Sequence, residues 1–153
     1  LFKFFMFKII MGYPDEEQEV EILRRHTSNS RLPKLDGVEP IISRDRLLTL
    51  RAKLAQVLVD ESLLRYIARI VQQTRTGRAV YLGASPRAAV AILQASKAYA
   101  LLQGRDFVTP DDIKAVAPAA LVHRIQLTAD AEMQGMTPQK MTLNLIDKVE
   151  VPT

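Results

Sequence analysis

Apolar residues recur at helical spacing along most of the chain. After Ser43, a helix-capping residue, Leu47, Leu50, Leu54, Val57 and Leu58 fall three and four positions apart. They predict one apolar helix face, with Arg44, Arg51 and Lys53 mostly elsewhere. Asp60 can cap the next helix, where Leu63, Leu64, Ile67, Ala68, Ile70 and Val71 supply a buried stripe, so the two helices read as nearly continuous. Ser85-Pro86 puts a cap and a proline at the favoured start of an Ala-rich helix that runs to Gln103 and stops at Gly104. Thr109-Pro110-Asp111-Asp112 repeats cap, proline and acidic first turn. It starts a shorter helix that Pro118 ends or kinks, and Leu121–Leu127 reads as further helix.

The two ends of the chain follow other patterns. Leu1 to Tyr13 is rich in Phe, Ile and Met, which suits a strand, and Gly12, Tyr13 and Pro14 stop it. A chain that opens in mid-strand looks cut from something larger. Asp15, Glu16 and Glu17 crowd the positive end of a short amphipathic helix with Val20, Ile22 and Leu23 on its apolar side, ending near His26. Thr27 to Pro40 concentrates Ser, Asn, Gly and Pro and reads as a linker. Thr128 to Thr153, Met- and Gln-rich with weak periodicity, reads as a partly ordered C-terminal extension. A short Val80-Tyr81-Leu82 run lies between Gly77 and Gly83. Helical patterns dominate, so the expected fold class is all-α, a small helical bundle.

Composition narrows the chemistry. The 153 residues, 48% hydrophobic and 25% charged, suit one globular domain with or without a tail. Without Cys there is no disulfide framework, thiolate metal site or Cys nucleophile, and two His are too few for an all-His site. No metal is expected to be held by the chain itself. The excess of 21 Lys and Arg over 17 Asp and Glu gives +4, which attracts phosphates without specifying nucleic acid. Lys3 and Lys8 interrupt the longest apolar run, Leu1 to Met11, which falls well short of the roughly 18–20 residues that span a bilayer. No membrane association is expected.

A loop that cradles nucleotide phosphates needs Gly followed by Lys and then Ser or Thr, and none of the six Gly precedes Lys. The chain is therefore not expected to hydrolyse a nucleotide alone. Val57-Leu58-Val59-Asp60-Glu61 resembles the apolar strand and acidic pair that hold Mg²⁺ in P-loop proteins, but leucines at helical spacing make Asp60 a cap instead. Gly83-Ala84-Ser85-Pro86-Arg87 sets an Arg in the first turn of a capped helix, where the helix dipole disfavours a cation. Two readings fit equally: an external anion bound by the guanidinium, or a solvated surface Arg. His26 and His123 have no acid or nucleophile at a recognisable spacing. Arg44, Arg46, Arg51 and Lys53 alternate with leucines and read as a solvated helix face; few aromatics are interleaved for base stacking, so nucleic acid is not expected as a partner.

Taken together, these residues resemble the C-terminal lid of MoxR-type AAA+ ATPases. The resemblance rests on Met11-Gly12-Tyr13-Pro14 before an acidic helix, then Thr74-Arg75, Leu82-Gly83-Ala84-Ser85-Pro86-Arg87-Ala88, Gly104 to Asp112, and His123-Arg124-Ile125, all in the family's order. It covers about Phe4 to Ile125. It implies that residues 1–13 are a strand remnant of the ATPase core, 14–127 the helical lid and 128–153 an extension. It also implies that Arg87 is the sensor-2 arginine reaching the γ-phosphate of ATP held by the core of the same subunit. Phe2-Lys3-Phe4 stands where the family has Asp-Arg-Phe, so Lys3 occupies the arginine-finger position with the charge but not the two-pronged geometry. The family implies ATP and Mg²⁺ in the intact protein, a core carrying Walker A, Walker B and sensor 1 before Leu1, and a cytoplasmic homo-oligomeric ring, usually a hexamer. That ring remodels or matures clients, often with von Willebrand A domain proteins. The rival readings are a non-enzymatic helical binding module for nucleic acid or an acidic protein, and an interaction adaptor that kept the lid fold without its motor.

Overall fold

Each helix begins where the chain offers an acceptor to its first free N–H groups, or a proline that lacks one. In α1 (Glu16–Thr27) Gln18 N–H donates to Asp15 Oδ1 at 2.9 Å and Asp15 N–H donates back to Gln18 Oε1 at 3.2 Å. Arg46 N–H donates to the Ser43 hydroxyl at 3.2 Å as α2 (Arg44–Lys53) opens. Ser62 N–H donates to Asp60 Oδ1 at 2.8 Å at the head of α3 (Glu61–Thr76). Proline occupies the start of α4 (Pro86–Leu102) and α5 (Pro110–Leu121). Thr128 caps the short α6 (Ala129–Met133), and the Thr137 hydroxyl accepts Lys140 N–H at 3.2 Å ahead of Pro138 in α7 (Pro138–Asp147). At the other end of α4, Gly104 takes φ +75°, the left-handed turn that lets Arg105 N–H reach Ala100 O at 2.9 Å.

The computed structural model describes residues 5–27 and 37–152, which fall into two compact units. The smaller, residues 10–49, contains α1, none of whose residues is buried; Ile22 and Leu23 are exposed, and Glu21 pairs with Arg24 and Arg25. The larger unites residues 5–9 with 50–152. Its core gathers Tyr66, Ile67 and Ile70 of α3, Ile92 of α4, Ile113 and Leu121 of α5, and Leu145 and Ile146 of α7. Ala88, Ala95 and Ala100 on α4 and Ala117 and Ala120 on α5 are buried in it too. Small side chains at such positions let helix backbones approach closely, at the cost of apolar area per residue. Strand β1 (Val80–Leu82) pairs antiparallel with β2 (Gln126–Leu127), setting Val80 opposite Leu127. The all-α bundle expected from the periodicity is thus present, with this one small sheet among the described residues.

Several expectations are corrected. The helix after Ser43 does not reach Leu58: it ends at Lys53, a single 3-10 turn covers Leu54–Gln56, and Leu58 forms a parallel bridge with Phe107. Leu58 N–H donates to Asp106 O at 2.8 Å and Val108 N–H to Leu58 O at 3.0 Å, so backbone bonds to a distant segment replaced those of a helix. Pro118 lies inside α5 without ending it, flanked by the buried Ala117, Ala120 and Leu121, whose packing offsets one missing hydrogen bond. Leu121–Leu127 does not continue as helix; a turn closes on Leu121 O and Gln126–Leu127 joins the sheet. Residues 128–152, read as a partly ordered extension, include two capped helices, and Met141, Leu145 and Ile146 belong to the core.

No strand forms within residues 5–13. A strand needs a neighbouring ladder, and here Lys8 N–H instead donates to Ala119 O at 3.0 Å, near the end of α5. Lys3, the rest of residues 1–4, and 28–36 of the linker lie outside the described residues.

Candidate functional site

The last turn of α3 and the turn before α4 are joined by two consecutive residues. Thr74, 1% exposed, donates its hydroxyl to Val71 O at 2.6 Å and accepts Ala84 N–H at 2.9 Å. Arg75 Nε donates to Ala84 O at 2.8 Å. Both backbone polar groups of Ala84 are therefore held by α3. Gly83 makes this approach possible: a Cβ there would lie 2.6 Å from Thr74 O and 2.7 Å from Arg75 Cγ. Every larger residue would push the turn off the helix.

From that anchor the chain passes through Ser85, extended at φ −77° and ψ 167°, into Pro86 and α4. Ser85 holds the cap position without a side-chain cap bond, and Ala88 N–H donates to its backbone oxygen at 2.9 Å. Ala84 and Ala88 face the core, whereas Arg87 in the first helical turn is exposed. The arrangement places an arginine at a helix N-terminus whose backbone start is set by a glycine-dependent turn held to α3. Such a group can bind phosphate oxygens in a two-pronged contact. Among the described residues no three His, Asp or Glu come together as a group that could hold a metal ion.

The remaining sequence motifs serve the scaffold. Arg105 forks onto the buried Asp112, with Nη2 to Oδ1 at 2.6 Å and Nη1 to Oδ2 at 2.8 Å. The Thr109 N–H and hydroxyl donate to the same carboxylate at 2.7 and 2.9 Å. Burial pushes the Asp112 carboxyl up, but the Arg105 and Thr109 bonds outweigh it and hold it below the ordinary carboxylate value. Asp60 is lowered by its bonds to Ser62, in keeping with a helix cap. The basic residues of α2 are exposed, as a solvated face requires.

The His123-Arg124 motif binds the chain near its start, which its spacing did not indicate. Arg124, 6% exposed, donates Nη1 to Met6 O at 3.0 Å and Nη2 to Phe5 O at 2.7 Å, and Nη1 also bonds Ala120 O on the last turn of α5. His123 Nε2 bonds Phe5 O at 2.9 Å. Burial lowers the Arg124 pKa from its ordinary value, and carbonyl dipoles at a helix C-terminus stand in for a carboxylate. The sequence marked His123-Arg124-Ile125 as a motif, and it set Arg124 among Leu121, Val122 and Ile125, a run too apolar for a solvated cation, but neither signal named its partners. The structure thus brings Thr74, Arg75, Gly83, Ala84 and Arg87 into one assembly and shows Arg105 committed to Asp112 and Arg124 to the segment at residues 5–6.

Comparison with known proteins places this geometry. Residues 72–143 match the AAA lid domain family. Over 97% of its length the chain is 36% identical to the uncharacterised protein YeaC of Bacillus subtilis, of which it covers 45%. It is 35% identical, again over 97% of its length, to the chaperone MoxR1 of Mycobacterium tuberculosis, covering 40%. A crystal structure from Cytophaga hutchinsonii, described as that of an ATPase, aligns with a TM-score of 0.81 at 32% identity, over 99% of this chain and 48% of that one. The chain spans less than half the length of each of these relatives.

Proposed function

From a chain that belongs to the MoxR-type AAA+ ATPases through their lid region, we propose that it closes over ATP bound to a core domain outside this sequence and supplies Arg87 as the sensor-2 arginine. The observation that carries the reading is the exposed Arg87 in the first turn of α4, on a turn that Thr74 and Arg75 clamp to α3. A guanidinium brought to the γ-phosphate stabilises the charge that develops there, which is the form of electrostatic assistance that lowers a phosphoryl-transfer barrier. Mg²⁺ belongs to the core in this reading, beside the phosphates whose charge it neutralises.

The compact unit that carries Arg87 runs past residue 127 to α7, since the α7 side chains share the core of α3, α4 and α5. Nucleotide state is transmitted as rigid-body movement of that body. The protomer works in a homo-oligomeric ring, with a hexamer the first size to test, in the cytoplasm, where it remodels or matures client proteins. Von Willebrand A domain proteins are the partners to test first. No described helix is long and apolar enough to cross a membrane. Lys3 takes the finger position toward the neighbouring subunit, supplying charge alone.

The test is Arg87→Ala in the full ATP-hydrolysing protomer carrying this lid. Turnover falls at least about tenfold, as for loss of one donor to developing charge, while the melting temperature is unchanged. Unaltered turnover in a ring of normal stability refutes the assignment.

A further inference from the structure

We infer that Thr74 and Arg75 are positioning residues for Arg87, an inference that rests on the sensor-2 reading above. Only three peptide bonds separate the clamped residue from the arginine: Ala84 leads to Ser85, Ser85 to Pro86, and Pro86 to Arg87. Pro86 has its φ locked by its ring, and from Pro86 onward the backbone is helix. The place of Ala84 therefore dictates where α4 starts and where its first turn points.

Ala84 is held by its N–H and its carbonyl at once, by neighbouring residues of one helix turn. The Thr74 hydroxyl has a single proton, and it is directed at Val71 O, so a lone pair is left facing Ala84 N–H. The hydroxyl cannot be replaced by a methyl group without leaving that N–H, in a residue 1% exposed, without its acceptor. Gly83 lets the same turn lie close against α3, and Ala88 in the first turn of α4 is buried in the core. A group that must meet transition-state charge loses about a hundredfold in rate for a displacement near 1 Å, so a clamp of this kind acts on rate more than on affinity.

The experiment compares Thr74→Val, which keeps the shape and removes the acceptor, with Thr74→Ser, which restores it. Arg75→Met removes the second bond while keeping an apolar stem. In the full protomer, Thr74→Val and Arg75→Met each lower kcat for ATP hydrolysis at least about fivefold with KM for ATP within about twofold, and Thr74→Ser retains most of the rate. Combined with Arg87→Ala, neither lowers the rate further, because both act through Arg87. In the 153-residue chain, amide exchange at Ala84 and Ala88 speeds up in Thr74→Val and not in Thr74→Ser.

Rates that fall additively with Arg87→Ala, or unchanged protection at Ala84, overturn the inference. So does wild-type turnover in both Thr74→Val and Arg75→Met while Arg87→Ala is impaired, an outcome that leaves the sensor-2 reading standing. If Arg87→Ala itself turns over normally, the sensor-2 reading fails and this inference falls with it.

Discussion

Gly83→Ala tests the clamp directly, because two physical effects predict opposite signs. Gly83 is not among the glycines with positive φ. Alanine restricts the unfolded chain, so in open space this change would stabilise by about 0.4–1 kcal/mol. The structure predicts the reverse. The added Cβ lies 2.6 Å from Thr74 O and 2.9 Å from Arg75 Cα, both backbone atoms that cannot swing aside. Reaching ordinary contact at 3.4 Å takes a retreat of about 0.8 Å by the turn. That retreat adds to the 2.9 Å bond from Ala84 N–H to Thr74 and the 2.8 Å bond from Arg75 to Ala84 O, and carries both past hydrogen-bonding range. Loss of one neutral and one charged bond in a largely buried setting costs about 2–4 kcal/mol. The melting temperature then falls by about 5–12 °C for a chain of this size.

Urea denaturation of the 153-residue chain, followed by helix circular dichroism, measures the change. Gly77→Ala is the internal control: its Cβ meets Val80 and Leu145 side-chain atoms at 3.7 and 3.9 Å, ordinary van der Waals contact, and its backbone is extended at φ −74°. It should be neutral or stabilising by up to about 1 kcal/mol. If Gly83→Ala shifts stability no more than Gly77→Ala does, the tight approach of the turn to α3 is wrong, and with it the rigid placement of Arg87.

Two further perturbations address the scaffold. Asp112→Asn leaves Arg105 facing a neutral amide and should cost about 2–3 kcal/mol, at or below the lower end for a broken buried pair because Arg105 is partly solvated. The Asp112 carboxyl is held below its unfolded value of about 3.9, so its stabilisation is complete above that pH and is lost as pH falls through the lower folded value. The stability gap between wild type and variant, followed by denaturation from pH 7 to pH 3, therefore narrows only below about pH 5; a gap unchanged down to pH 3 contradicts the Arg105 pairing. Leu145→Ala removes a core side chain of α7 and should cost about 2–5 kcal/mol with a single unfolding transition. A separate low-temperature melt of α7 would show that residues 138–147 are not part of the lid body.

Much of this architecture is local and was legible as such. Asp60, Ser43 and Thr109 cap helices in the structure because a short polar side chain next to an apolar-periodic run answers N–H groups of its own first turn. Gly104 ends α4 for a reason equally contained in one residue. The same logic would have found α7: Thr137-Pro138 repeats the cap and proline already recognised at Ser85-Pro86 and Thr109-Pro110, but a Met- and Gln-rich surround with weak periodicity obscured it. Where the sequence pattern misled, a distant partner decided the outcome. Leu54, Val57 and Leu58 have helical spacing, yet bonds from Leu58 to Asp106 and Val108 turn that segment extended.

For the candidate site the division is similar. Arg87 in a capped, proline-led first turn is visible in five consecutive residues, together with the dipole argument for an anionic partner. That Gly83 needs its missing side chain, and that Thr74 and Arg75 grip Ala84, could not be read from spacing, because these contacts join segments nine and ten residues apart in sequence through a turn of unknown path. The buried Arg124 is the extreme case: its partners Phe5 and Met6 lie 119 and 118 positions away. Caps, stops and periodic faces are satisfied within a turn or two of chain, so the sequence alone determines them; which buried donor meets which carbonyl depends on how the helices pack, and only the tertiary structure decides that.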